Sequence, residues 1–237
     1  MSSIRLAMGE GFLEAYAELP RKQQHKVTEF MKKFRNDPRS SGINFERING
    51  TQDEHLRSVR IDQSYRGIVH KPESGNTYIL LWVDNHDAAY DWARRRQLSV
   101  HPETGSLQVY EVQADTSSVI MEEPEESQFR LFRKLKERHL LQFGIPEKQF
   151  GLVKGIVSEK ELDALAGRLP DEALECLQMF HEGIELNEIL EDAACRTGED
   201  IDTEDFDAAL DRDGSKRSFH VVEDDEELAE MLAAPLE

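Results

Sequence analysis

The chain has 237 residues, 38% of them hydrophobic and 32% charged, with a formal net charge of −19; that length accommodates two domains, and that hydrophobic fraction can build a core. No apolar run approaches a membrane span, and the N-terminus lacks a charged region followed by an apolar core. Cys176 and Cys195 have no CxxC-type neighbours, which leaves a soluble, cytoplasmic protein with reduced, buried thiols and no metal centre.

The charge is divided along the chain. Residues 1–100 hold 16 Lys and Arg against 13 Asp and Glu, net +3, whereas residues 101–237 hold 13 against 35, net −22. The basic surface is thus assigned to the first half, and the second half repels nucleic-acid phosphates.

Residues 3–7 form a short β-like lead. Residues 9–19 place Phe12, Leu13, Tyr16 and Leu19 at helical spacing, and Pro20 closes that helix and opens another. The second helix carries Val27, Phe30, Met31 and Phe34 as an apolar stripe among Lys22, Lys26, Lys32, Lys33 and Arg35. The pair reads as a helical hairpin lying on a sheet. After Pro38, residues 43–48 supply a strand before the NGT turn. HLRSVRI, YRGIVHK and TYILLWVD (residues 55–61, 65–71 and 77–84) then make an antiparallel meander, with a tight turn at PESGN. TYILLWVD is nearly continuously apolar, which predicts a central strand covered on both faces. A short helix over residues 86–95 and a strand over residues 107–112 follow.

Residues 113–127, QADTSSVIMEEPEES, read as an acidic linker. Beyond it the periodicity is helical. Phe129, Leu131, Phe132, Leu135, Leu140, Leu141 and Phe143 mark one helix ended by GIP, and Pro146 opens a second that runs to Val153. SEKE at residues 158–161 is a capping box, Pro170 and Asp171 start a further helix, and residues 185–195 continue the pattern. Residues 201–237 add a helix capped by Asp202, one strand within RDGSKRSFHVVED and a terminal helix. The predicted fold class is α+β: an antiparallel sheet with a two-helix hairpin over residues 1–112, the linker 113–127, a mostly helical acidic domain over 128–200, and a C-terminal strand and helix over 201–237. No GxxxxGK[ST] phosphate loop occurs, so neither an ATPase nor a cofactor is assigned.

The chemistry-bearing residues concentrate in the meander and the helix after it. Strand alternation places Leu56, Ser58, Arg60 and Asp62 on one face and Arg57, Val59 and Ile61 on the other. Arg57, Arg60, Arg66 and Lys71 are the candidate nucleic-acid contacts, and Arg60, Arg66, His86 and Tyr90 the candidate catalytic set. Each also has a structural reading: strand arginines as solvated or ion-paired surface, His86 beside a helix cap formed by Asp84 or Asn85, and Tyr90 packing its helix half-exposed.

With a short strand, a two-helix hairpin, Arg60 and the Tyr65-Arg66 dipeptide on an antiparallel sheet, and a late motif ending in Tyr90, residues 1–112 resemble the RelE/ParE toxin superfamily. The resemblance implies basic side chains that hold messenger RNA on the ribosome and cut it by 2′-hydroxyl attack. Arg60 and Arg66 would then stabilise the phosphate, and His86 or Tyr90 would move a proton. The string NHDAAY departs from the family, because Asp87 stands where a base is usual and its charge would oppose a developing phosphate anion.

LLWVDNHDAAYDWA, the run FGLVKGIVSEKELDALAGRLPDEALECL and the terminal EELAEMLAAPLE are also similar to the region preceding the motor of UvrD/Rep-type superfamily 1 DNA helicases. That resemblance implies an accessory region, with the helicase motor as partner and its nucleotide loop beyond residue 237. Three functions follow as expectations: a nonenzymatic accessory module whose sheet contacts nucleic acid, ribosome or a partner; a ribosome-dependent endoribonuclease; and such a toxin covered by its own acidic half through intramolecular contact.

Overall fold

The computed structural model describes residues 4–71, 76–112, 130–194 and 201–233. In chain order its elements are β1 (Arg5–Gly9), α1 (Glu10–Glu18), α2 (Arg21–Asn36), β2 (Phe45–Arg47), β3 (Leu56–Arg60), β4 (Tyr65–His70), β5 (Thr77–Asn85), α3 (His86–Arg94), β6 (Arg96–Val100), β7 (Leu107–Glu111), α4 (Glu137–Gln142), α5 (Phe150–Gly155), α6 (Glu159–Asp163), α7 (Asp171–His181), α8 (Leu186–Ala194), α9 (Phe206–Leu210), α10 (Asp213–Ser218), β8 (Phe219–Val222) and α11 (Asp225–Ala233). The fold is α+β. It divides into two compact units, one made of Met1–Arg96 with Ser215–Glu237 and the other of Gln97–Gly214.

In the first unit the strand order is β2-β3-β4-β5-β1-β8. β1 runs parallel to β5, and the other neighbours are antiparallel. TYILLWVD therefore lies inside the sheet, between β4 and β1, as its apolar run predicts. The ladder between β4 and β5 shifts register between Ile68 and Val69, a bulge that bends the strand locally. α1 and α2 form the hairpin, joined through Pro20. Gln24 Nε2 donates to the carbonyls of Tyr16 and Ala17 at 3.1 Å each, satisfying the last turn of α1, and the Tyr16 hydroxyl meets Thr28 Oγ1 at 2.9 Å. The α2 stripe of Val27, Phe30, Met31 and Phe34 is buried against Val59, Val69, Tyr78 and Leu80 of the sheet. Phe34 makes ring contacts with Phe30, Phe45 and Tyr78 at centroid distances of 5.5, 5.9 and 5.6 Å. Burial of each such side chain contributes on the order of 1.5–3 kcal/mol.

The C-terminal segment completes this unit. β8 pairs antiparallel with β1, matching Leu6 to Val222 and Gly9 to Phe219. Leu228 of α11 is fully buried in the same core, with Met231 and Leu232 packed beside it. Arg35 donates from Nε and Nη2 to Asp225 Oδ1 at 2.9 and 2.6 Å. Residues 201–237 thus differ from the separate segment expected: hydrogen bonding to the open edge of β1 draws residues from 215 onward into the first unit.

The second unit surrounds a core of Phe132, Leu135, Leu140, Phe143, Ile145, Val153, Leu162 and Leu177, among others. β6 pairs only with β7 among the described residues, and this hairpin moves the unit boundary from the expected 112 to 96. Its connection returns through Gly105, whose φ of 67° suits glycine. RDGSKRSFHVVED supplies the expected strand as β8, preceded by an unexpected helix, α10. The helix expected from Phe129, which lies outside the described residues, begins only at Glu137. Arg130 with Lys134, Arg133 with Lys136 and Lys134 with Arg138 would be like-charge pairs three or four residues apart on such a helix, which opposes it.

The linker 113–127 and Cys195 also lie outside the described residues; Cys176 is buried. Among the described residues no helix is long and apolar enough to cross a membrane, and no group of three or more His, Cys, Asp and Glu could hold a metal ion.

Candidate functional site

Register fixes how the candidate residues share the sheet. Arg60 on β3 stands opposite Arg66 on β4, which stands opposite Asp84 on β5. Directly opposed residues project to the same face, so these three form one row. Ser58 lies two residues from Arg60 on that face, which α3 covers: the Ser58 Oγ and the Tyr90 hydroxyl are 2.9 Å apart. Arg60, Arg66, His86 and Tyr90 are thereby brought to one side of the sheet. Arg57 and Lys71 are set on the other. Arg57 pairs across the strands with Arg47 and Val69, and Lys71 Nζ sits 4.8 Å over the ring of Phe45 on the hairpin side.

The two arginines of the row differ in environment. Arg60 is exposed and has no partner among the described residues. Arg66 is 4% exposed, and its Nη1 donates to the carbonyls of Asp62 and Tyr65 at 2.9 and 3.0 Å. Its Nε has no acceptor among the described residues. Asp62 is the hub of this bend: its carboxylate accepts from Ser64 N at 2.8 Å, Tyr65 N at 2.9 Å and Lys26 Nζ at 2.5 Å. Burial pushes the Asp62 carboxyl up, but the Lys26 ammonium and the two backbone N–H groups outweigh it and hold it below the usual carboxylate value.

α3 starts at His86, capped by Asn85, whose side chain accepts from Ala88 N at 3.1 Å. His86 is exposed, stacks on Tyr90 one turn later with centroids 4.4 Å apart, and meets Asp87 Oδ1 through Nδ1 at 2.9 Å. The half-buried Tyr90 hydroxyl, besides Ser58, reaches Glu46 Oε2 at 3.4 Å. Arg57 Nη1 donates to the carbonyls of Glu54 and Leu56. Ser58, Glu46 and Asp62 are the site's members that sequence reasoning missed. Only Asp62 carried a legible signal, since Asp-Gln-Ser between two strands suits a turn in which the carboxylate bonds the backbone two residues on.

Chemically, the row sets two cations opposite each other and shares its face with the carboxylates Asp84 and Glu46, while Asp87 faces His86. The tyrosine that would move a proton is hydrogen-bonded to a carboxylate. Elsewhere two histidines are deeply buried. His70 is 1% exposed and held at about 3 by burial, with the charges of His55 and Arg57 adding to it; His101 is 2% exposed and pushed down to about 4 by burial, partly offset by the Ile145 backbone.

No protein-family model matches the chain, and no curated protein matches it. A solved structure that is similar in part is the RelB–RelE antitoxin–toxin complex from Methanococcus jannaschii, at 15% identity and a TM-score of 0.30 over 36% of this chain and 95% of that one.

Proposed function

We propose that the protein is a nonenzymatic binding module, with the sheet unit serving as a braced scaffold. The observation that carries this reading is the commitment of the candidate catalytic groups to internal bonds: Arg66 Nη1 to the carbonyls of Asp62 and Tyr65, and the Tyr90 hydroxyl to Ser58 and Glu46. A phosphoryl-transfer site needs donors aimed at the developing charge and a base free to take the proton. The sequence resemblance to the region preceding UvrD/Rep-type motors supplies a cytoplasmic context, an accessory region beside such a motor. Its test is co-purification of a motor with the tagged full chain.

A second reading is the ribosome-dependent endoribonuclease. It is favoured by Arg60, exposed and unpaired among the described residues, beside the unsatisfied Arg66 Nε, with exposed His86 on the same face. Cleavage of messenger RNA on translating ribosomes by the full chain separates the two. The binding-module reading expects no cleavage above background and no difference on Arg60→Ala. Cleavage abolished by Arg60→Ala or His86→Ala would establish the nuclease.

A further inference from the structure

The second unit is acidic, yet it contains the run RLFRKLKER at residues 130–138, five cations against one carboxylate. Arg133, Lys134, Lys136 and Arg138 are all exposed. None has a carboxylate partner among the described residues, whereas other cations of this unit are engaged: Lys154 with Glu137 at 2.6 Å and Arg168 with Glu111 at 2.8 Å. Glu137, the one carboxylate of the run, is therefore taken.

Beside the run lies a cavity of about 360 Å³ lined by Glu103, Arg138, His139, Leu141, Gln142 and Leu190. Its volume is at the lower end of ligand sites, roughly 300–1,000 Å³, room for one nucleoside and not for a duplex. His139, 6% exposed, is approached at both ring nitrogens by donors: Lys136 N at 3.2 Å from Nδ1 and Arg138 Nε at 3.1 Å from Nε2. A neutral imidazole has one accepting nitrogen and one N–H, so it cannot accept both. Burial, then the charges of Arg138 and Lys136, hold this ring's proton affinity down, which keeps it neutral near pH 7. One of the two donors, the Lys136 N–H or the Arg138 Nε–H, is therefore left without an acceptor on this ring.

We propose that this cavity and the adjoining cations form a binding site for single-stranded nucleic acid. Phosphates lie over Arg133, Lys134 and Lys136, and one base enters the cavity. Arg138, on the cavity wall, donates to an oxygen of the nucleotide. Leu141 and Leu190 give the base apolar contacts, and Gln142 and Glu103 meet its polar edge. Glu103 disfavours a phosphate inside the cavity and favours amino-bearing bases, since carboxylates accept from groups such as the cytosine amino group. The chain's net charge of −19 slows approach of a polyanion, but beyond about 8 Å it is screened at physiological salt, leaving the local cations to act at contact. The site is independent of the sheet's role; an active nuclease would leave it standing.

The test is fluorescence anisotropy of the full chain with labelled single-stranded RNA, single-stranded DNA and duplex of mixed sequence, across a salt series. The expected result is binding of a single strand in preference to duplex. Joint substitution Arg133→Ala, Lys134→Ala, Lys136→Ala weakens it by about tenfold or more and reduces the salt slope by about 2, at roughly 0.7 per phosphate contact. Gln142→Ala alters base preference at unchanged slope, and Lys22→Ala, at an exposed cation of α2 in the first unit, leaves binding intact. The RNA and DNA arms tell which strand is taken. Absence of binding at low salt, binding indifferent to the triple substitution, or displacement by polyglutamate as efficient as by oligonucleotide would each overturn the proposal, the last by assigning the patch to an acidic protein.

Discussion

Arg66 shows how one side chain can look catalytic in a sequence and act as a brace in the fold. Its guanidinium holds two carbonyls of the bend whose other groups are held by Asp62, and Asp62 in turn is tied to Lys26 on α2. Removing it takes the Nη1 donor from the Asp62 carbonyl, while the Tyr65 carbonyl keeps the Ile61 N–H at 3.2 Å, and leaves a void where the buried side chain packed. Arg66→Ala is therefore expected to lower stability by about 1–3 kcal/mol, the range for a lost buried hydrogen-bonding group. Arg60→Ala, at an exposed and unpaired position, is expected to stay within about 0.5 kcal/mol. Urea unfolding of both variants checks this; equal midpoints would remove the bracing role. Alternation along β3 correctly placed Arg57 and Arg60 on opposite faces. It could not show that α3 covers the face of Arg66, because face membership is local and burial is set by the element packed above.

At the scale of elements, the hairpin, the four strands β2 to β5, α3 and its Asn85 cap were legible, since each carries its own period or capping residue. β6 was not: RQLSV is a short strand with no turn signal separating it from α3. Nor was the destination of β8 and α11, because a short strand's partner lies outside its own sequence, and here that partner is β1, more than two hundred residues earlier. The attachment of α11 rests on apolar contact more than on charge. Leu228→Ala, at a fully buried position, is expected to cost about 2–5 kcal/mol. Arg35→Ala removes a partly exposed ion pair with Asp225, worth at most about 1 kcal/mol in such settings. Thermal unfolding of the two variants discriminates these contributions. A larger loss from Arg35→Ala would mean that charge matching between the basic α2 and the acidic α11 holds the segment.

For the molecule as a whole, the excess of carboxylates invites the expectation that mild acid is stabilising, by relieving self-repulsion. The buried histidines argue the reverse over the range in which carboxylates scarcely titrate. His70 and His101 are held at about 3 and about 4, far below the 6.5 of an exposed imidazole. Between those values the unfolded chain binds protons that the folded chain excludes, so stability is fully present above pH 6.5 and falls as the pH drops toward 4. The loss is about 1.4 kcal/mol per pH unit for each such histidine; His70 lies in the first unit and His101 in the second, where burial also holds His139 below the usual value. His101 Nδ1 accepts from the backbone N–H groups of Glu103 and Thr104 at 3.2 and 3.3 Å, a role an asparagine oxygen can fill without titrating. His101→Asn should therefore keep the hairpin between β6 and β7 and flatten the fall of the second unit's urea midpoint between pH 6.5 and 4 by about one proton's worth of slope. An unchanged slope would mean that His101 takes up its proton in the folded state, and that the acid sensitivity of this unit lies with other groups, His139 first among them.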